Sequence, residues 1–286
     1  MPNSLLKRTL VVSALVAVGA TAAVAPAQAT GRFHNPANIA HHGASAAAPE
    51  NTLVAIDLAY DQGADYAEVE IQRTSDGELV AIQDAGLART TNVEEVFPGR
   101  SPYLVRDFTL AELRQLDAGS WFGAQFAGER IPTLSEVIAE AGYRDGIVIE
   151  IRNAALYPGI EEDVRDELAA NPYYLVRALL LNKLVVKSAS VDSANAFHAL
   201  APYVPVGVIY DFRPADADLV AVSEWAHEVD IVTSVADEAH IDRIKELGLK
   251  VSVHTVDTET LMTRYIDRDV NGIVTNVPAL LAGLLD

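Results

Sequence analysis

From residue 38 onward, short runs rich in Val and Ile alternate with longer segments whose apolar residues recur at helical spacing. The short runs cover 38–42, 66–72, 79–83, 146–152, 183–187, 204–210, 230–235, 250–256 and 272–275. They are nearly continuous in apolar character, the pattern of strands buried on both faces. Between them, segments such as 52–62, 159–170, 216–226 and 238–247 carry one apolar stripe each. Strands followed this regularly by helices predict parallel βαβ units and an α/β fold.

Nine candidate strands exceed the eight of a closed (β/α)8 barrel, so one of them is accessory. The second and third are joined by Ser75-Asp76-Gly77-Glu78, and Asp-Gly is a hairpin signal. A doubly wound open sheet is the rival, but no Gly-rich phosphate loop follows the first run. The expectation is therefore a barrel with a small insertion after the third strand. Residues 87–132 break the alternation with Phe97-Pro98-Gly99-Arg100-Ser101-Pro102 and a Gly- and aromatic-rich piece at 119–126. This stretch reads as an inserted subdomain over one end of the barrel.

Composition narrows the setting. Half of the 286 residues are apolar, which excludes a disordered or fibrous chain. A net charge of −19 argues against a nucleic-acid partner and against adsorption to anionic lipid. At the N-terminus, Lys7 and Arg8 precede an apolar stretch at 10–18 and then Ala27-Gln28-Ala29, the small-x-small pattern that a signal peptidase reads. The expectation is a signal peptide at 1–29, export, and a single domain at 30–286 with no stable membrane insertion after cleavage. An uncleaved anchor is the alternative, since the uncharged stretch 9–31 is long enough to span, though it is Ala-rich and contains Pro26. With no cysteine, neither a lipoprotein anchor nor a disulfide is available.

In such a barrel the chemistry lies at the C-terminal strand ends. Those ends carry His41-His42-Gly43, Glu68-Val69-Glu70, Glu150-Ile151-Arg152, Lys187-Ser188 and His254. Glu68 and Glu70 are two apart and so share a face, where they repel unless a cation lies between them. With Glu150 they make a hard oxygen site suited to Mg²⁺ or Ca²⁺. His41 and His42 are expected on opposite faces of their strand, only one of them inward, as a candidate general acid or base. Arg152 and Lys187 suit a bound phosphate, or else neutralise the carboxylates. Spacing alone thus reaches a metal-assisted site for an anionic small molecule.

The motifs go further. Ile39-Ala40-His41-His42-Gly43-Ala44 and Pro49-Glu50-Asn51-Thr52 resemble the opening of the glycerophosphodiester phosphodiesterases, His-Arg-Gly and then Pro-Glu-Asn-Thr. The resemblance continues through Gly63-Ala64-Asp65, Glu68-Val69-Glu70, Thr74-Ser75-Asp76-Gly77 and Arg89-Thr90-Thr91. Glu150-Ile151-Arg152 resembles the family's Glu-Ile-Lys, His254-Thr255-Val256 its Trp-Thr-Val, and the stretch 272–278 its Gly-Ile-x-Thr-Asp-x-Pro. The match spans 38–278.

The resemblance implies a TIM barrel of the phosphodiesterase type that hydrolyses a glycerophosphodiester to an alcohol and glycerol 3-phosphate. It implies a divalent cation, Ca²⁺ or Mg²⁺, on Glu68, Glu70 and Glu150. Of the family's two acid/base histidines, His41 matches the first, while Gln83 stands at the second and cannot exchange a proton. Substrate-binding positions would be His42 (family Arg), Arg152 (family Lys), Lys187 and His254 (family Trp), with Glu50 and Asn51 bracing the histidine loop. Asn276 replaces an Asp. Three readings follow from Gln83: His254 supplies the missing proton-transfer group, or His41, Gln83 and the metal suffice, or the barrel binds its ligand without turnover. A relative acting like a phospholipase D on lysophospholipid or sphingolipid head groups would need an apolar entrance, for which Trp121, Phe122 and Phe126 are the candidates. No oligomeric state is implied.

Overall fold

A computed structural model describes residues 35–142 and 145–286, so the signal peptide expected at 1–29 lies outside the described residues. All nine apolar runs form strands: β1 (Ala37–His41), β2 (Tyr66–Arg73), β3 (Leu79–Ala81), β4 (Gly146–Ile151), β5 (Leu184–Ser188), β6 (Val206–Tyr210), β7 (Glu228–Val232), β8 (Lys250–His254) and β9 (Gly272–Thr275). Eight of them pair in parallel in the ring β1-β2-β4-β5-β6-β7-β8-β9, and β9 closes onto β1. The ninth, β3, runs antiparallel to β2, with Ala81 opposite Ile71. It is the accessory strand, returned by the Asp76-Gly77 turn in which Gly77 takes φ +94°.

To the four helical segments that the spacing singled out, the structure adds five long helices, including Leu134–Ala141, Val191–Leu200 and Pro278–Leu285. Helix starts follow side-chain capping. Thr52 Oγ1 accepts from Ala55 N–H at the head of Leu53–Asp61, and Thr133 and Glu136 form a capping box on Leu134–Ala141. The main core lies between strands and helices, where Val69, Ile71, Ile149, Ile151, Val186, Val208, Ile231 and Val253 meet the helix faces. No described helix is long and apolar enough to cross a membrane.

Inside the ring, a lower layer is apolar, built from Ile39, Val148, Val185 and Val274. Above it ionic side chains dominate, with Ile209 beside Asp230 an apolar exception. That explains the displaced boundary at β7, where the sequence pattern indicated 230–235 and the strand runs Glu228–Val232. Its inward residues Glu228 and Asp230 are charged, so the apolar run reads two residues late.

The segment between β3 and Leu134–Ala141 packs a separate core of nine buried residues, among them Leu87, Val93, Phe108, Leu113 and Leu116, onto Val80 of β3. Arg100 lies 3.8 Å from the ring centre of Phe108. Trp121, Phe122 and Phe126 pack edge to face on one another, at 5.6 and 5.5 Å between ring centres. Trp121 Nε1 also donates to Ala118 O at 2.8 Å.

Candidate active site

The parallel register sets Glu70 directly beside Glu150 on the neighbouring strand, with Glu68 one inward position below. All three are buried, and carboxylate oxygens from each lie within 4.8 Å of one another. Burial pushes Glu70 up to about 7, against the pull of His41 and the Asn51 hydrogen bond. Burial and then the charge of Glu70 push Glu150 up to about 7 as well. Burial also raises Glu68 well above the usual carboxylate range, and its Oε2 has no hydrogen-bond partner. Three buried, mutually repelling oxygen donors, one of them orphaned, fit a hard divalent cation.

Lys187 stands opposite Glu150 in the register of β4 and β5. Its Nζ lies 2.8 Å from Asp230, 3.0 Å from Glu228 and 4.0 Å from Glu68, and the side chain is 0 % exposed. This corrects its expected place among the substrate contacts: an enclosed ammonium already held by two carboxylates is an internal counter-ion. Gly207 makes the room, since a Cβ there would sit 2.9 Å from Glu228 Cγ and 3.1 Å from Lys187 Cγ. Glu228 and Asp230 were missed in the sequence, although Glu228-Val229-Asp230 repeats the alternation that marked Glu68-Val69-Glu70. Arg152 is half-exposed at the rim and donates to Glu150 Oε1 at 2.8 Å.

The two histidines depart from the strand expectation. His42 takes φ +60°, which ends β1 and turns the chain so that its ring lies 3.6 Å from that of His41. Both therefore reach the site. His42 is buried with Nε2 against Glu70 Oε1. Gly43, at φ +80°, lets the loop press on helix Leu53–Asp61, where a Cβ would sit 2.6 Å from the Ala55 backbone. Burial pulls His41 and His42 down to about 4, so both rings are neutral at pH 7.

The ring orientation of His41 is fixed by its neighbours. Asn276 Nδ2 donates to Asp257 Oδ2 at 2.7 Å, so the amide oxygen faces His41 Nδ1 at 2.8 Å and also accepts from Ser45 Oγ. His41 therefore carries its proton on Nδ1 and keeps Nε2 as an acceptor.

The bracing pair divides its work. Asn51 Nδ2 donates to Glu70 Oε2 at 2.7 Å, while its N–H holds His42 O at 3.0 Å. Glu50 instead receives Arg89 from the inserted segment through both terminal nitrogens. Arg89 also donates to Gln83 Oε1 at 3.0 Å and pairs with Asp84. The Gln83 carbonyl is thus engaged by Arg89. Nothing in the sequence pattern marked Arg89 for this contact.

His254 ends β8. Its Nδ1 lies 2.8 Å from Asp230 Oδ1, and its Nε2 lies 3.1 Å from Asp211 Oδ1. Burial lowers its affinity for a proton, but the charge and hydrogen bond of Asp230 and the bond to Asp211 outweigh that and raise it to about 9. At neutral pH it is an imidazolium donating from both nitrogens. When all are ionised, Glu68, Glu70, Glu150, Glu228 and Asp230 face Lys187, Arg152 and this imidazolium, which leaves the charge of one divalent cation uncompensated.

Against known proteins, residues 41–280 match the model of the glycerophosphoryl diester phosphodiesterase family. YhdW of Bacillus subtilis is 36 % identical over 245 residues, covering 84 % of this chain and 94 % of its own length. A glycerophosphodiester phosphodiesterase of Caldanaerobacter subterraneus is 35 % identical over 249 residues, covering 86 % and 96 %. A similar solved structure is an Oleispira antarctica phosphodiesterase in complex with the product sn-glycerol-3-phosphate. It has a TM-score of 0.73 and 28 % identity, and it covers 87 % of this chain and 96 % of that one.

Proposed function

The chain belongs to the glycerophosphoryl diester phosphodiesterase family and is a phosphoric diester hydrolase, and from that premise we propose an exported, cation-dependent enzyme that converts glycerophosphodiesters to an alcohol and glycerol 3-phosphate. The observation that carries the reading is the buried triad Glu68, Glu70 and Glu150 beside a histidine whose Nε2 is kept as an acceptor. Glu68, Glu70 and Glu150 would hold Ca²⁺ or Mg²⁺, which supplies charge neutralisation of the phosphodiester when bound.

The chain's own groups do the rest. His41 Nε2 accepts the proton of the attacking water. Arg152 and the Gln83 amide donate to phosphoryl oxygens, Arg152 with a charge-assisted bond. Asn51 and His42 fix Glu70, and Arg89 holds Gln83 in the donating orientation. The substrate is a small molecule. Export rests on the run from Lys7 to Ala29, and a secreted protein whose N-terminus begins at residue 30 would establish it.

Glycerol 3-phosphate release from glycerophosphocholine, measured with Ca²⁺ or Mg²⁺ and with EDTA, tests the activity. Turnover that EDTA abolishes is the expected result. Gln83 favours one competing reading, a barrel that binds glycerophosphodiesters without turnover. Ligand-induced stabilisation with no release would select it.

A further inference from the structure

We propose that His254 is the general acid of this barrel and delivers its Nε2 proton to the oxygen of the leaving alcohol. The proposal rests on the hydrolytic reading above and assigns the one role that reading leaves vacant. Breaking the phosphorus–oxygen bond of an alkyl ester expels an alkoxide, which is too basic to leave without a proton. Gln83 has no ionisable proton to give. His41 presents its acceptor nitrogen, since Nδ1–H is committed to Asn276. His42 is buried against Glu70, Lys187 is enclosed, and Arg89 and Arg152 do not deprotonate.

The geometry of His254 is that of an acid held ready. Asp230 accepts from Nδ1–H and is itself fixed by Lys187 Nζ at 2.8 Å, so the ring cannot rotate without breaking a buried ion pair. Nε2–H points outward to Asp211, whose side chain is 73 % exposed just beyond β6. An exposed carboxylate is readily displaced, and a leaving oxygen seated in its place accepts the same hydrogen bond.

The partners of the two histidines set their roles apart. A neutral amide faces His41 and two carboxylates face His254, so the first ring stays basic-side and the second stays protonated. The charged groups around His254 are Asp230 on β7, Asp211 after β6, Glu68 on β2 and Lys187 on β5, and the neutral but titratable His41 on β1 faces it as well.

The step balances. The oxygen of a water molecule bonds to phosphorus as its proton passes to His41 Nε2. The bond from phosphorus to the leaving oxygen breaks with its electron pair on that oxygen, which takes the proton of His254 Nε2. His41 then releases a proton to water and His254 regains one.

The test uses the full chain with two substrates, glycerophosphocholine and the p-nitrophenyl ester of glycerol 3-phosphate, whose phenolate leaves without a proton. His254→Gln keeps a donor amide and removes the acid. It should lower kcat on the choline ester by about 10²–10⁴-fold and on the nitrophenyl ester by less than about 10-fold. Equal losses on both esters would overturn the assignment.

Asp211→Asn, at an exposed side chain, serves as a second probe should His254→Gln unfold the barrel. Removing that charge should move the alkaline limb of kcat/KM on the choline ester to lower pH, and an unmoved limb overturns the proposal. A wild-type chain that cleaves neither ester refutes the hydrolytic reading itself, a result distinct from equal losses in the variant.

Discussion

Replacing Lys187 with Met keeps an unbranched, fully buried side chain one atom shorter and removes its charge. The ammonium lies 2.8 Å from Asp230, 3.0 Å from Glu228 and 4.0 Å from Glu68, all inside the strand ring. Without it, those carboxylates share one enclosed space with only His254 to offset them. Breaking a buried ion pair by removing one partner costs about 3–5 kcal/mol. At about 2–4 °C per kcal/mol for a chain of this size, the melting temperature should fall by roughly 6–20 °C.

The pH dependence has a definite sign. Burial alone would lower the Lys187 pKa, but Asp230 and Glu228 raise it above its ordinary value. Its contribution is therefore complete below the unfolded lysine value and is lost only as pH rises through the folded one. Burial alone would raise Asp230, but Lys187 and His254 hold it below the usual carboxylate range. Its share is present above the unfolded carboxylate pKa and is lost as pH falls through the folded one. Both contributions of the wild-type pair are thus level from about pH 5 to 9.

In Lys187→Met the abandoned carboxylates take up protons more readily, so the deficit should be largest at pH 8 and shrink at pH 5. Urea unfolding followed by far-UV circular dichroism measures both. A deficit below about 1 kcal/mol at pH 8 would refute the argument, because that is the level of an exposed pair. A deficit unchanged at pH 5 would refute it equally.

Three further outcomes are expected. In the metal-free protein Glu70 and Glu150, pushed up to about 7, keep protons that the unfolded chain releases near 4.5, so stability should fall as pH rises from 4.5 through 7. Millimolar Ca²⁺ or Mg²⁺ should then raise the melting temperature more at pH 8 than at pH 5, and equal shifts would contradict binding at these carboxylates. Gly207→Ala forces a methyl to 2.9 Å from Glu228 Cγ and should cost about 1–3 kcal/mol by urea unfolding. His41→Ala should lower kcat by about 10²–10⁴-fold while far-UV circular dichroism stays that of the wild type.

The barrel was legible because the outward strand positions are apolar and the hairpin of β2 and β3 is announced by Asp76-Gly77. Legibility ended where the interior turned ionic. Glu228 lies two residues outside the strand that the pattern places at 230–235, because a charged inward position imitates a loop. The alternation rule also failed at His42, whose positive φ no spacing argument contains. Contacts between distant segments left least trace. Arg89 reaches Gln83 and Glu50 from a separately packed segment, and Asp211 meets His254 across 43 positions of sequence. Lys187 was visible as a charge at a strand end, but only the closed ring shows that its end is enclosed.

A buried cluster that balances its own charges has a consequence for how such a chain can drift. Lys187, Glu228, Asp230 and His254 come from three strands and answer to a single electrostatic sum. A mutation at one of them alone unbalances the rest, whereas paired exchanges, a base lost with an acid or an imidazole gained with a carboxylate, leave the total unchanged. Descendants of this barrel should therefore explore new residues here in compensated couples. The place where a proton is held could then migrate around the ring over many generations while the net charge inside it stays the same.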